Sequence, residues 1–527
     1  MTKIIGFLIT KENIDINVDI FTAGIKYIRF KHANYYIYLW GLGDIESYKI
    51  NGKYTLSFPL HDSLLDRNVL ISLRDNEIVI ENDWLGSIPV FYNKKYQIVS
   101  TISNFCIKDK EIHKEGLANF CEFGYSVFEQ TIFEDIQFMR YFSRLNILND
   151  RIQIEYKNDP VLENCFLTKK STTEEVISLM QDYVDNVEKE TVGDIVLPTS
   201  GGYDSRILNY LVNDKSRIRS FTYGISKVQS KSTEVVHAKK ISEIFNTKWE
   251  QIELENFHKY IDKWFDIYGI STHTHGMYHI EFYTKILEKY NLDNPSFLSG
   301  IFGDVWAGSV IYKDIKTFQD LIILGYTHGM HLDVKHLNIK HKNTIKEHFF
   351  LKNKEALKNG KMKAVFTIRM KLMVISYLTQ IPEYFGMPVW TPFLNFEIVK
   401  STLNLPDEIR KNRIWQRDFF KKVKLNLEDM RLKSIKNNHL NCEVAKKTNF
   451  KPIEEDLLKE YISKDRLVEI NNNLEKLNRY EVIKNYFLYL PKIGGLLRKK
   501  KKKNEFLKAL HEYYVIKAIE KGLRYES

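Results

Sequence analysis

Apolar and polar positions alternate in short bursts over the first third of the chain. Lys3 to Thr10, Tyr35 to Trp40, Thr55 to Leu60, Val69 to Leu73, Glu77 to Glu81, Val90 to Tyr92 and Tyr96 to Thr101 each run a few residues between turn-forming clusters, which is the pattern of β-strands. That many short strands bury their faces most simply as an antiparallel sandwich, predicted here over residues 1–160. The pattern then breaks. Residues 161–172 follow Asp159-Pro160 and end in Lys169-Lys170-Ser171-Thr172, a polar stretch that reads as a linker. Thr172 with Glu175 three residues later is a capping box, and Val176, Leu179, Met180, Tyr183, Val184 and Val187 after it recur at helical spacing.

From there strands and helices alternate: a strand over 195–199, a helix over 206–213, a strand over 218–223, a helix over 233–245 and a strand over 248–253. Such alternation predicts a parallel, doubly wound sheet whose ligands sit outside the carboxyl ends of the strands. After about residue 315 the periodicity is helical, most clearly from Ala364 to Tyr377 and from Glu505 to Lys521. The predicted fold is α/β (α+β overall). It places an antiparallel β-sandwich domain at 1–160, a linker at 161–172, a doubly wound parallel-sheet domain at 173–440, and a helical, basic extension at 441–527.

A chain of 527 residues suits two to four domains at roughly 150 residues each. Its four cysteines, Cys106, Cys121, Cys165 and Cys442, are scattered without C-x-x-C pairing, which points to reduced thiols and away from zinc or a disulfide frame. No apolar run reaches the roughly 18 residues a membrane span needs, and Ile4 to Ile9 is too short for a signal peptide, so the expected location is cytoplasmic. The net charge of +11 peaks at Arg498 to Lys503. That run reads as solvated surface, with docking of an acidic partner as the alternative. No aromatic side chains interleave with it, so nucleic acid is not an expected partner.

The most informative segment is Ile195-Val196-Leu197-Pro198-Thr199-Ser200-Gly201-Gly202-Tyr203-Asp204-Ser205-Arg206. A strand that ends in glycines and hydroxyls just before a helix is an anion cradle, because its bare backbone N–H groups and the positive helix end converge on one point. An aspartate there would repel phosphate unless a cation intervened, so Asp204 reads as a Mg²⁺ ligand. The segment is not a Walker A loop, because no Gly-Lys-Ser/Thr closes it.

This loop resembles the pyrophosphate loop of the adenylating synthetases, the family that includes asparagine synthetase, argininosuccinate synthetase and the thiolating tRNA enzymes. Further segments resemble asparagine synthetase. Asn82 to Tyr92, Val99 to Ser103 and Gly124 to Phe133 are similar to its glutamine amidotransferase domain. Ser296 to Gly308 is similar to its second acidic block, with Ser299, Gly300, Gly303, Asp304 and Gly308 matching. Phe221-Thr222-Tyr223-Gly224 is similar to the strand that meets adenine through its backbone, and Glu234, Ala238 and Lys239 to the helix after it. Pro388 to Val399 is similar to a later block in which Pro388 and Trp390 replace a glutamate and an arginine, and Arg431-Leu432-Lys433 to an R-x-K.

The resemblance implies that ATP and Mg²⁺ are cofactors and that Ser200, Gly201, Gly202, Asp204, Ser205, Thr222, Gly224, Ser299 and Gly300 bind nucleotide. It also implies that Asp204 and Asp304 share the metal and that Lys433, with Lys436 as competitor, stabilises charge at phosphorus. Tyr278 and His279 would line the acceptor pocket, and the cluster of His273, His275 and His279 is not read as a set of metal ligands.

Thr2 stands where the glutamine-using enzymes carry their cysteine nucleophile, so the N-terminal domain reads as a degenerate amidotransferase and the amine comes from ammonia or the substrate. β-Lactam synthetase and the lasso peptide cyclases are similar in this respect. The implied activity is an AMP-forming C–N ligase acting on a small-molecule, sugar or peptide carboxylate. The alternative is a catalytically silent nucleotide-binding scaffold or regulator, favoured by Ile301 and Val305 at positions where asparagine-forming relatives carry acids.

Overall fold

The computed structural model describes residues 3–16, 24–45, 49, 52–57, 61–162, 170–327, 329–475 and 505–526. Cys165, most of the predicted linker and the basic run 498–503 lie outside the described residues.

The first eleven strands are β1 (Lys3–Thr10), β2 (Ile25–His32), β3 (Tyr35–Leu42), β4 (Lys53–Thr55), β5 (Val69–Arg74), β6 (Glu77–Asn82), β7 (Phe91–Asn93), β8 (Ile98–Ser100), β9 (Ile136–Phe138), β10 (Ser143–Leu148) and β11 (Arg151–Tyr156). They form two antiparallel sheets, ordered β2-β3-β1-β8-β7-β9 and β11-β10-β6-β5-β4. β1 is buried along its whole length, and its side chains explain why. Ile4, Phe7 and Ile9 enter the core between the two sheets, while Ile5 and Leu8 enter a second core shared with the rest of the chain. An irregularity between Ile4 and Gly6 shifts the alternation by one residue, as a bulge does. Gly6 is needed there, because a Cβ would lie 2.4 Å from the Trp40 indole.

Helix α1 (Lys114–Phe123) precedes β9, and α2 (Thr173–Glu190) opens on the predicted capping box of Thr172 and Glu175. The second half is built on a parallel sheet: β12 (Ile195–Val196), β13 (Ile218–Thr222), β14 (Lys248–Gln251), β15 (Ser296–Leu298) and β16 (Val389–Trp390), in the order β14-β13-β12-β15-β16. Between them run α3 (Tyr203–Leu211), α4 (Thr233–Phe245), α5 (Ile261–Tyr268), α6 (Tyr278–Lys289) and the single turn α7 (Gly303–Trp306). The chain starts in mid-sheet at β12, moves outward through β13 and β14, then returns to the other side of β12 as β15. That reversal opens a crevice between the carboxyl ends of β12 and β15, the place where such sheets bind ligands.

Four sequence expectations need correction. The first parallel strand is only two residues long, and α3 begins at Tyr203 instead of Arg206, so Asp204 and Ser205 lie in its first turn. Thr55 to Leu60 is not one strand, since β4 ends at Thr55 and residues 58–60 are outside the described set. Gly360–Tyr384 is long and apolar enough by length and composition to cross a membrane, although charged residues interrupt the run. Its apolar window is 83% buried within the protein. It consists of helices Gly360–Ile375 and Tyr377–Tyr384, bracketing the predicted 364–377 element. Its Arg369 forks onto Asp159 and the Trp84 carbonyl, and its Glu383 pairs with Arg67 and Lys3.

Trp84 lies at this junction of the two halves. Its indole N–H donates to the Leu394 carbonyl (3.0 Å), and its ring stacks on Trp306 at 6.3 Å and meets Phe396 edge-on at 5.1 Å. Truncating so buried a tryptophan typically costs about 3–5 kcal/mol.

Candidate functional site

The turn after β12 takes its shape from three constraints. Gly201 has φ +75°, a left-handed conformation, and a Cβ there would lie 2.2 Å from the Cβ of His237 on α4, so only glycine fits. Arg206, fully buried, donates to the Gly201 carbonyl (2.8 Å) and the Leu425 carbonyl (3.1 Å), and grips both carboxylate oxygens of Glu428 at 3.1 Å. With that carbonyl drawn inward, the turn keeps one conformation. The Ser200 hydroxyl accepts from Gly202 N–H (3.4 Å), and the Ser205 hydroxyl accepts from Ser200 N–H (3.4 Å) while donating to the Gly202 carbonyl (3.2 Å). Gly202 is the N-cap of α3 and supplies no side chain. The first N–H groups of a helix have no intrahelical partner, so this end is positive and suits an anion.

The second turn, after β15, lies against the first. A Cβ on Gly300 would come within 3.2 Å of Ser205 N, and one on Gly303 within 2.6 Å of the Asp204 carboxyl carbon. The Asp304 N–H bonds to the Asp204 carboxylate, and Gln416 Nε2 donates to its Oδ1 at 3.2 Å. Burial, and then the neighbouring Asp304 charge, push the Asp204 carboxyl up to about 7, against the opposing pull of Gln416 and Arg413. Asp304 accepts from the Ser309 hydroxyl (3.3 Å). Lys371 stands near it, its ammonium lowered by burial while the Asp304 charge pulls it back up. The two acids predicted to share an ion therefore meet at the crevice. Ile301 and Val305 flank them, half-buried.

These residues fit a hydrated divalent cation. Gln416 is fully buried, and among the described residues its Oε1 has no hydrogen-bond partner although its amide nitrogen is spent on Asp204. A water on a carboxylate-bound Mg²⁺ would satisfy it, since magnesium commonly keeps several waters beside one or two carboxylates. Among the described residues there is no group of three or more histidine, cysteine or acidic side chains able to hold a metal.

Other predicted residues are placed as follows. Thr222 ends β13, buried, with its hydroxyl donating to the Thr199 carbonyl and accepting from Trp249 Nε1 (3.0 Å), and its carbonyl accepting from Ile252 N–H (2.8 Å). These bonds commit its hydroxyl to the strands. Gly224 packs against the Gln229 carbonyl, which a Cβ would approach to 2.2 Å. Ser299 donates its N–H to the Trp390 carbonyl (3.0 Å) and its hydroxyl accepts from Ile301 N–H (3.2 Å). Lys433 is exposed on a segment that pairs with the start of α4, where Ile435 exchanges backbone bonds with Lys231 and Thr233. Its competitor Lys436 acts electrostatically on His237, the residue packed against Gly201.

Tyr278 and His279 begin α6 and pack with Tyr223, which directly follows β13, at 5.7 and 6.2 Å, and with Tyr377, at 5.3 Å from His279. Among the described residues neither buried ring nitrogen of His279 has a partner, and burial holds the imidazole neutral, its pKa down to about 3. The His275 ring bonds to Asn441 instead (2.8 Å), and His273 accepts the His275 N–H (3.3 Å). Arg206, Gln416, Arg413 and Lys371 were not found from sequence. Arg206 closes the cradle motif without a role assigned to it there, and the other three come from segments more than 150 residues after the cradle.

The fold and site define an α/β protein with a strand, glycine-turn and helix cradle facing a second acidic turn at the sheet's reversal point. No protein-family model and no curated protein matches the chain. Among solved structures it is similar to the NH3-dependent NAD synthetase from Campylobacter jejuni subsp. jejuni NCTC 11168 in complex with the nitrate ion. That likeness covers 39% of this chain and 96% of the other, at 14% identity and a TM-score of 0.22, too slight to bear on function.

Proposed function

We propose that the protein is an ATP-dependent C–N ligase that activates a carboxylate as an acyl-adenylate, releases pyrophosphate, and passes the acyl group to ammonia or to an amine of the substrate. The observation that carries this reading is the meeting of Asp204 and Asp304 beside the Ser200–Ser205 cradle. The cradle N–H groups would hold the diphosphate, and Asp204 and Asp304 would hold Mg²⁺. When bound, that ion offsets charge on the phosphate oxygens and the leaving group. Gln416 and the Asp304 N–H orient the Asp204 carboxylate. Arg206 keeps the cradle in one shape through the Gly201 carbonyl. Lys433 or Lys436 would act as preorganised positive charge, an effect typically worth about 2.7–4 kcal/mol of barrier. Tyr278 and His279 would face the acceptor. The unit 173–440 would carry this chemistry, with 1–160 kept as a scaffold.

The test is pyrophosphate–ATP exchange with pooled carboxylates. Exchange that Asp204→Asn abolishes supports the ligase. ATP binding with no exchange for any carboxylate makes the chain a nucleotide-binding scaffold, the reading that Ile301 and Val305 favour.

A further inference from the structure

The cations around the cradle differ in what they are already bound to. Arg206 is spent on Glu428 and two carbonyls, Arg410 donates to the Trp306 carbonyl (3.3 Å), and Lys371 faces Asp304. Arg413 is different. Among the described residues it forms no ion pair, and its guanidinium lies over the Tyr203 ring at 4.8 Å, within the cradle itself. Its charge reaches Asp204. Arg206 lies by the same ring at 5.1 Å, so the tyrosine holds two guanidinium groups.

The backbone that delivers Arg413 is fixed and unusual. Asn412 and Arg413 are both left-handed, at φ 56°, a conformation non-glycine residues adopt at an energetic cost. The segment is stitched to the second acidic turn: Asn412 N–H donates to the Gly308 carbonyl (3.0 Å), Trp415 Nε1 to the Ala307 carbonyl (3.3 Å), and Arg410 to Trp306. One helical turn after Arg413 comes the fully buried Gln416, with its unpartnered Oε1 beside Asp204. A half-buried guanidinium without an ion pair and an orphaned amide oxygen, unpaired among the described residues, both lie beside the cradle.

The geometry points to Arg413 as the phosphate-contacting cation of this site, its planar N–H fork binding oxygens of the ATP diphosphate held at the cradle. This rests on the ligase reading, and it assigns to Arg413 a contact that sequence resemblance places on Lys433.

Calorimetric titration of the full chain with ATP, with inorganic pyrophosphate and with AMP, each with Mg²⁺, tests it. Arg413→Gln is expected to weaken ATP and pyrophosphate binding about 10- to 100-fold, as loss of a charge-assisted contact does, with AMP binding less affected. Arg413→Lys is expected to recover part of the loss, added guanidinium chloride at millimolar level to restore pyrophosphate binding to Arg413→Gln, and Lys433→Gln to lose less than Arg413→Gln. Unchanged pyrophosphate affinity in Arg413→Gln overturns the inference, as does an equal loss for AMP and pyrophosphate, which would mark a structural role. Should the unaltered chain bind neither ATP nor pyrophosphate, the ligase reading itself fails, a result distinct from both.

Discussion

Two aspartates, one in each half of the molecule, are treated in opposite ways. Asp83, in the turn after β6, accepts the N–H groups of Asn68 (3.0 Å), Leu85 (2.8 Å) and Ser87 (3.1 Å) and the Ser87 hydroxyl. Asp204 accepts from one side-chain amide and one N–H, faces a second acid, and has beside it an amide oxygen with no partner. The same contrast extends to neighbouring charges. In the junction below the sandwich Glu383 takes both Arg67 and Lys3, so that although burial alone would raise its carboxyl, the two cations hold it below the usual range. At the cradle Arg413 is left without an acid. The junction pairs its charges with one another, whereas the crevice leaves an amide oxygen and a guanidinium unpaired among the described residues, the pattern expected of a binding site.

The sharpest way to break this comparison is to open the completed side. Glu383→Gln strands two buried cations and should cost about 3–5 kcal/mol, read from urea unfolding of the full chain. A cost under 1 kcal/mol would mean that the junction is wetter than its geometry implies. Next comes the incomplete side. Gly201→Ala forces a left-handed alanine, about 1–2 kcal/mol by itself, and adds a contact with His237, so ATP binding should vanish while the sandwich core is untouched. Calorimetry beside a melting curve separates the two effects.

Proton linkage sharpens the contrast further. With a folded pKa of about 7 against an ordinary 3.8, Asp204 binds a proton in the folded chain that the unfolded chain lacks. Its contribution to stability is therefore present at low pH and is lost as pH rises through 7. On the proposed Mg²⁺ site the ion would compete with that proton, so the rise in melting temperature on adding Mg²⁺ should be larger at pH 8 than at pH 5, and Asp204→Asn should remove the difference. The smallest effect is expected far from both sites: Thr172→Ala removes the cap of α2 and should cost about 1 kcal/mol in urea unfolding with ATP binding unchanged.

What could be read from sequence follows from how local each signal was. The cap at Thr172, helix α4 at 233–245 and strand β1 at 3–10 carry their patterns within a few residues, and all three form as predicted. Strand β2 escaped notice because it is an edge strand whose Lys26, Arg29 and Lys31 mask a one-sided apolar face. The hairpin of β10 and β11 was legible and missed. Its Asn149-Asp150 turn, with φ 48° and 59°, is a short-range hairpin signal between alternating runs. At the candidate site the glycine turns and both aspartates were visible as motifs. Gln416 and Arg413 were not, because a contact made from 200 residues away leaves no periodicity to detect.

The indole pair at the junction gives the molecule an internal optical gauge. Trp306 sits in the same short turn as Asp304, while Trp84, 6.3 Å away, belongs to the opposite half. A ligand that shifts the acidic turn must alter the overlap of those rings, so intrinsic emission should report occupancy without any label, and Trp84→Phe should silence the part of the signal that crosses between halves.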